Sequence, residues 1–198
     1  MKIVSLCIIA AAANFGLSTL FVNVLQIPLF VDTVFTSAVC FTAGLLPGLF
    51  TALLTQIATG IRENSVTPFI LCSFAEVLLI CRLNPASAQK KLPDRGLVRF
   101  SSETTLVSIF AGLLLLYIVS CIVISVLGGL IDFVYHSVLL QPKLYFSAED
   151  TFKIGLIRVG IPTPVMDIFS RIPVNLVDRF IVIFGGFFVS RGLRRLPG

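Results

Sequence analysis

The sequence predicts an all-α fold, a polytopic membrane helix bundle, because of its composition and its long uncharged stretches. Of its 198 residues, 57% are hydrophobic and 13% are charged, and the mean hydropathy is +1.02. Soluble domains contain about 45–50% apolar and about 25% charged residues, and a chain of this size has too little interior to hide the excess. Lipid solvates helices that are apolar on all sides. We therefore predict a single integral membrane domain over residues 1–198.

Stretches with few charged residues locate the membrane helices. A spanning helix needs about 20 residues, so the chain has room for about five to seven spans with their loops. The sequence predicts six transmembrane helices with short second and third spans, at about 3–25, 33–46, 47–61, 66–82, 105–128 and 173–190.

The stretch 33–61 has two interpretations. Pro47 has no amide hydrogen and lies between Gly44 and Gly48, so a turn into two short helices is easy there. Glycine and proline also occur in single long membrane helices that are kinked. Two helices give six spans with both termini cytoplasmic, whereas one helix gives five spans with the amino terminus outside. Lys2 favours a cytoplasmic amino terminus, and we predict six.

Charged residues predict the orientation of the chain. The loop 82–104 has five basic and two acidic residues, and the tail adds Arg191, Arg194 and Arg195, whereas residues 132–179 carry equal numbers of each sign. Basic residues concentrate in cytoplasmic loops, so we expect the loop and the tail inside and residues 132–179 outside. The pattern Ser147-Ala-Glu-Asp150 resembles a capping box, which predicts an external interfacial helix after it.

Several enzyme motifs are absent from the sequence. There is no GxxxxGK[ST] for ATP, no HExxH and no GxSxG, and the only histidine is His136. We expect no enzyme activity, no cofactor and no metal site. The five cysteines lie in apolar stretches without CxxC spacing, which predicts small buried side chains rather than disulfides or zinc ligands.

Polar residues in membrane segments need a partner or a function. Asp32 begins the second span, where its carboxylate either caps the helix or meets a ligand. The last span opens with polar residues at helical spacing on one face, namely Arg171, Asn175, Asp178 and Arg179. They form either an ion-pair network that locks the bundle or the wall of an external cavity.

Other positions have weaker signals. Glu76 lies within the fourth span, and a lone carboxylate there more often hydrogen-bonds to serines or stays protonated than relays protons, so we favour a structural role. Tyr135 and His136 are suited to stacking on a ring-shaped ligand, although interfacial tyrosines are common. Ala12 and Gly16 form a small-residue face that lets another helix approach closely, either in this bundle or in a partner protein.

Three stretches carry a resemblance to a known family: IPLFVDTVFTSAVCFTAGLLPGLFTALLTQ, FILCSFAEVLLICRL and RIPVNLVDRFIVIFGGFFVSRGLRRL. Together they resemble the S component, the substrate-binding membrane subunit, of energy-coupling factor (ECF) transporters. The shared features are a D[ST] pair after a proline-containing loop and a P-x-N-x-x-D start to the last helix. The resemblance implies a six-helix bundle with short second and third helices and a ligand cavity on its outer side.

The resemblance also implies roles for individual residues. By motif match it assigns the cavity to Asp32, Asn175 and Asp178. It assigns Ala12 and Gly16 to contact with a membrane coupling subunit that two ABC-type ATPases drive. It implies a location in the bacterial cytoplasmic (inner) membrane with both termini cytoplasmic. No signature of a particular vitamin is present, so the substrate stays open.

We predict a substrate-binding membrane subunit of an ATP-driven importer for a small, water-soluble, vitamin-like nutrient, without an ATPase of its own. The expected partners are this substrate, the lipid bilayer, the coupling subunit and the ATPases, and no nucleic acid, because membrane orientation accounts for the basic loop. The candidate ligand-binding residues are Asp32, Asn175, Asp178, Arg179, Arg171, Tyr135 and His136. The alternative is a membrane sensor or scaffold that transports nothing.

Overall fold

The chain folds into a helical bundle, seen in a computed structural model that describes residues 3–25, 29, 31–63, 68–84, 102–139 and 162–194. These residues contain the helices α1 (Ile3–Thr19), α2 (Val34–Ala43), α3 (Leu45–Glu63), α4 (Ile70–Leu83), α5 (Ser102–Asp132), α6 (Thr163–Phe180) and α7 (Gly186–Leu193). Short π-helical segments extend α1 over Leu20–Val24 and α5 over Phe133–Val138. A third, Ile181–Gly185, joins α6 to α7 in one continuous helix. The prediction of an all-helical fold is confirmed for the described residues.

A sharp turn at Gly44 decides between the two interpretations of residues 33–61. Gly44 has φ +91°, a left-handed conformation that favours glycine. Pro47 falls in the first turn of α3, where its missing amide hydrogen removes no helical bond. The chain therefore forms two helices, which meet at Gly44 rather than between residues 46 and 47. Only α2, with 10 residues, is short; α3 has 19 residues, so the prediction of a short third span is wrong.

The helices α2 and α3 run in opposite directions, and so do α5 and α6. The Gln56 amide of α3 reaches back to Asp32 before α2, and the Asn175 amide of α6 reaches Ser125 of α5. Helices two apart run in parallel, since Asn14 of α1 contacts Thr55 of α3. The ends of the helices therefore gather in two layers, and the layer away from the first residue of α1 contains the polar cavity described below.

The last helix begins earlier than predicted. It starts at Thr163 instead of residue 173, with Pro164 in its first turn, and Pro173 lies inside it. Proline is tolerated in the first turn of a helix, and here Pro164 rather than Pro173 occupies that turn. The long helix before it also exceeds its predicted range of 105–128 at both ends. The predicted interfacial helix after Ser147 and most of loop 82–104 lie outside the described residues.

The described helices present apolar side chains outward and bury many polar ones. Val107 and Phe188 are 68% and 67% exposed, whereas Asn14 and Ser120 are fully buried. This is the reverse of a soluble protein and suits a lipid environment. Four described helices are long and apolar enough to cross a membrane, namely Ile3–Val24, Leu45–Arg62, Leu106–Tyr135 and Thr163–Leu193. The helices α2 and α4, about 15 and 21 Å long, are shorter than the roughly 30 Å hydrocarbon core.

Two cysteines are joined across the bundle, contrary to the prediction of isolated buried thiols. Cys40 of α2 and Cys81 of α4 form a disulfide, with their Cα atoms 6.5 Å apart. They are separated by 41 residues in the chain and meet because α3 returns α4 to the side of α2. The thiols of Cys7, Cys72 and Cys121 are free.

Glycines allow two pairs of helices to touch closely. A Cβ on Gly129 of α5 would lie 2.6 Å from the Ile168 Cα atom of α6, and one on Gly186 would lie 2.7 Å from the Ser37 Cβ atom of α2. Such distances are well below van der Waals contact. The absence of side chains at these two glycines therefore sets the distance between the helix axes.

We expect Gly129→Ala to lower the thermal stability of the detergent-purified protein, because α5 must move away from the α6 backbone. The matched control is Gly192→Ala in α7, where an added Cβ meets no atom within 4 Å. This control should leave stability unchanged or raise it slightly, since alanine favours a helix over glycine by about 1 kcal/mol. Equal melting temperatures for the two variants would contradict the close contact at Gly129.

Candidate functional site

A polar cavity lies among the helix ends of one layer. Its volume is about 160 Å³ and it is partly open to its surroundings. The described helices α1 to α6 all contribute to its wall, or the residues that immediately flank them do. The lining residues are Ser18, Val22, Asp32, Thr33, Gln56, Thr59, Arg62, Phe69, Cys72, Ser73, Ile124, Arg171, Asn175 and Arg179. Charged, amide and hydroxyl groups therefore converge in a bundle whose outer surface is apolar.

The start of α2 is held in place by a side chain from α1. The Phe35 backbone N–H, in the first turn of α2, donates to Asn14 Oδ1 at 2.9 Å. The Asn14 amide donates in turn to Thr36 and Thr55, at 2.9 and 3.2 Å. Asn14 thus performs the capping role that was one interpretation of Asp32, and Thr33 at the N-cap position makes no side-chain capping bond.

Because Asn14 rather than Asp32 caps α2, the Asp32 residue contributes to the cavity wall. Asp32 Oδ2 accepts a hydrogen bond from the Gln56 amide at 3.3 Å, and the same amide donates to Ser73 Oγ at 3.2 Å. Gln56 therefore links the residue before α2 to α4. Asp32 as a whole residue is partly buried, and it belongs to the cavity wall.

Behind the cavity wall lies a buried ion cluster formed by Glu76, Asp178 and Arg179. The Arg179 guanidinium donates to Glu76 Oε2 of α4 through Nη1 and to Asp178 Oδ2 of its own helix through Nε and Nη2. Their exposed fractions are 1%, 0% and 5%. A buried guanidinium shared by two carboxylates supplies the pairing that charges need in lipid. Both carboxylates also have one buried oxygen without a hydrogen-bond partner among the described residues.

Nearer the amino end of α6, Arg171 and Asn175 complete that side of the cavity. Arg171 Nη2 lies 3.6 Å from Asp132 Oδ1, and its guanidinium lies 4.7 Å from the centre of the Phe69 ring. The Asn175 amide donates to Ser125 Oγ at 2.9 Å. Because Arg171, Asn175 and Arg179 are four residues apart, helical spacing places them in a row along the cavity wall.

On the opposite side, the end of α3 contributes Arg62. Its guanidinium donates to Thr19 Oγ1 at 3.0 Å and to Ser18 Oγ at 3.4 Å, and it lies 5.6 Å from the centre of the Phe15 ring. Together with Arg171 it places two positive charges at the end of the cavity nearer the helix termini.

The structure brings together four of the predicted ligand-binding residues and separates the others. Asp32, Asn175, Arg171 and Arg179 line the cavity, whereas Asp178 lies behind Arg179. The polar face of the last span therefore contributes residues both to the cavity wall and to the ion cluster.

The predicted aromatic contribution from the end of α5 is not part of this wall as described. Tyr135 lies in the π-helical turn that follows α5 and is not among the lining residues. The side chain of His136, in the same turn, lies outside what the structure describes. Glu76 pairs with an arginine of α6 rather than with the serines that the sequence suggested.

Sequence analysis missed the contribution of α3 to the site. Thr51, Thr55 and Thr59 recur every four residues, which places hydroxyls along one helix face. Gln56 and Arg62 lie on the adjoining part of α3 and reach the cavity. The repeat of threonines was the available signal, since all three are buried in an otherwise apolar helix.

The small-residue face of α1 points out of the described bundle. Ala12 and Gly16 are both exposed, and a Cβ on Gly16 would meet no atom within 4 Å. Of the two interpretations of this face, packing within the bundle therefore does not apply to the described helices.

Comparison with known proteins gives no family assignment. No family model, no curated protein and no solved structure matches the chain. What the cavity could bind is therefore inferred from its lining residues alone. The cavity offers hydrogen-bond donors, acceptors and charges of both signs to a small polar molecule, and the described residues include no group of three or more His, Cys, Asp or Glu suited to a metal ion.

We expect Arg179→Leu to destabilise the protein by about 3–5 kcal/mol, because it leaves Glu76 and Asp178 buried without their cation. Arg191→Leu is the matched control, since Arg191 is exposed and its guanidinium contacts the Phe187 ring at 5.0 Å. That control should cost about 1 kcal/mol or less. Unfolding in detergent, followed by circular dichroism, compares the two variants. Similar losses would show that the buried cluster does not hold α4 to α6.

Proposed function

We propose that the protein is the substrate-binding membrane subunit of an ATP-driven importer for a small water-soluble nutrient. The polar cavity is the observation that supports this proposal. A bundle with an apolar exterior stabilises itself most simply with an apolar or fully paired interior. Here the polar groups gather instead around about 160 Å³ of partly open space, and Asp32 belongs to its wall. Such a space suits a bound polar solute.

In this proposal the chain crosses the membrane six times in a bacterial cytoplasmic membrane. The alternating helix directions support it, because they place the cavity in the layer away from the first residue of α1 and from Arg194 after α7. With both termini cytoplasmic, the cavity faces the exterior. The short helices α2 and α4 are then supported by their neighbours, and the Arg194 guanidinium, which donates to the Phe41 carbonyl, closes the inner end of α2.

Energy for import comes from other subunits in this proposal. The sequence lacks a GxxxxGK[ST] motif, so ATP hydrolysis falls to two ABC-type ATPases that act through a membrane coupling subunit. The outward face of Ala12 and Gly16 is the proposed contact, because small residues let a partner helix approach closely. A membrane sensor or scaffold would share the cavity and lack these partners.

Native mass spectrometry of gently purified protein tests the binding role. We expect a retained small molecule in the wild type and an occupancy about tenfold lower in Asp32→Asn, because the amide loses a charge-assisted hydrogen bond. The matched control is Asp167→Asn, since Asp167 is a buried acid of α6 outside the cavity wall. Equal occupancy in wild type and Asp32→Asn, with both proteins folded, would contradict the binding role of this residue.

Co-purification from the native cells tests the transport role. We expect Gly16→Leu to keep ligand retention and to lose the associated ATPases, since the leucine side chain fills the proposed contact. Ala111→Leu, at an exposed position of α5, is the control that should keep both properties. Ligand retention without any ATPase partner, in the wild type, would favour the sensor or scaffold.

A further inference from the structure

Exposed arginines lie at the end of the bundle opposite the cavity. Arg82 and Arg191 belong to the last turns of α4 and α7, and Arg194 follows α7; all three are exposed. Counting 1.5 Å per residue, Arg82 lies about 15 Å along α4 from Cys72 of the cavity wall. Arg191 lies about 18 Å beyond Arg179 in the continuous last helix. We call Arg82, Arg191 and Arg194 the arginine group.

Two members of the arginine group lie against the carboxyl end of α2. The Arg194 guanidinium donates to the Phe41 carbonyl. The Arg191 guanidinium lies 5.0 Å from the centre of the Phe187 ring, and the centre of this ring lies 5.7 Å from that of the Phe41 ring. The packing of α7 on α2 therefore places both guanidinium groups beside the end of the same short helix.

The third member of the arginine group reaches the same end of α2 from α4. Arg82 follows Cys81, whose Cα atom is 6.5 Å from the Cα atom of Cys40. Cys40 precedes Phe41, the residue whose carbonyl accepts the bond from Arg194. The arginines of α4 and α7 therefore lie around one end of α2, and their positive charges share this end of the bundle.

The positive charge at this end exceeds what its own acids neutralise. Residues 82–104 and 191–198 together contain eight basic and two acidic residues, so six positive charges are left after each acid pairs with one base. Among the described residues, the arginines paired with acids are instead Arg171 and Arg179, which line the cavity. A partner with negative charge therefore complements this end of the bundle.

Exposed apolar side chains continue the same helix faces toward the middle of the bundle. Leu78, four residues before Arg82, is 45% exposed, and Phe188, three residues before Arg191, is 67% exposed. Residues three or four apart share one face of a helix, so each arginine ends a row that begins with an exposed apolar side chain. A molecule that contacts the whole of such a row has an anionic head and an apolar tail. An acidic soluble protein complements the charged part alone.

We propose that the arginine group binds the phosphate groups of anionic phospholipids, whose acyl chains lie along Leu78 and Phe188. The N–H donors of a guanidinium match phosphate oxygens in pairs, and an arginine near a membrane surface attracts anionic headgroups. A lipid in this position supplies both the negative charge and the apolar surface that complement the two rows. The site is separate from the cavity, so the proposal does not depend on which solute the cavity binds.

Native mass spectrometry of the full chain in detergent, titrated with defined lipids, tests the site. The probes are dioleoyl phosphatidylglycerol, which is anionic, and dioleoyl phosphatidylcholine, which is zwitterionic and has the same acyl chains. We expect the wild type to bind phosphatidylglycerol about tenfold or more tightly than phosphatidylcholine. This advantage should fall as the concentration of ammonium acetate is raised, because salt screens exposed charges.

Two double variants locate the binding on the arginine group. Arg82→Gln with Arg191→Gln removes two charges and spares Arg194, which holds the end of α2. We expect this variant to bind phosphatidylglycerol about fivefold more weakly for each arginine removed and to bind phosphatidylcholine as the wild type does. Arg82→Lys with Arg191→Lys keeps the charges and should keep most of the affinity. The matched control, Lys143→Gln with Lys153→Gln, lowers the net charge equally in the segment between α5 and α6 and should keep the full advantage.

The inference is overturned if the wild type binds the two lipids equally or if the glutamine variant keeps the advantage of phosphatidylglycerol. It is also overturned if the lysine control loses as much affinity as the glutamine variant, because net charge alone then explains the binding. Should size-exclusion chromatography show that the glutamine variant is unfolded, the two lipids on the wild type and on the arginine-to-lysine variant decide.

Two further arms separate a lipid from other anionic partners. Glycerophosphoglycerol has the same headgroup without acyl chains, and we expect it not to displace phosphatidylglycerol at an equal concentration. Displacement would show that Leu78 and Phe188 contribute nothing and that the site takes a soluble phosphate compound. Loss of a co-purifying protein from the glutamine variant, with lipid binding unchanged, would assign the arginine group to a protein partner and overturn the inference.

Discussion

The bundle depends on a guanidinium that is shared by two carboxylates away from water. Arg179 and Asp178 are neighbours on α6, and Glu76 comes from α4, so the cluster fixes these two helices in one relative position. In lipid no water replaces a lost partner, and a charge left alone would be very costly. The cluster therefore sets the depth of both helices, and with it the position of Asn175 and Arg171, about one and two turns earlier in α6.

Two kinds of polar residue share the interior and have different consequences. The Asn14 side chain forms hydrogen bonds with Phe35, Thr36 and Thr55. These bonds hold α1, α2 and α3 together, and the bond to the Phe35 N–H caps the short α2. Because Asn14 takes the capping role, Asp32 faces the cavity with one amide as its partner. Internal pairing in one part of the bundle thus leaves a carboxylate on the cavity wall in another.

The arrangement of charges along the cavity follows from helix geometry. Arg62 at the end of α3 and Arg171 near the start of α6 line the cavity nearer the helix termini, and Asp32 and Arg179 are the other charged residues of its described wall. The small-residue surface of α1, where Ala12 and Gly16 are exposed, lies outside this arrangement.

The sequence by itself determined the helical membrane character, since composition and uncharged stretches depend on residue identity alone. It also predicted that four polar residues need a partner or a function, because charged and amide groups in apolar helices are costly wherever they lie. These residues are Asp32, Arg171, Asn175 and Arg179. Glu76 was assigned a structural role without its partner, since that partner is 103 residues away in the chain.

Only the tertiary structure decided which polar groups pair and which face the cavity. The turn at Gly44 brings Asp32 to Gln56. The contact between α4 and α6 brings Glu76 to Arg179, and Asp178 lies behind Arg179, away from the cavity. The disulfide of Cys40 and Cys81 was missed for the same reason. Helical periodicity relates residues within one helix, whereas the relative depth and rotation of separate helices follow from how their side chains pack.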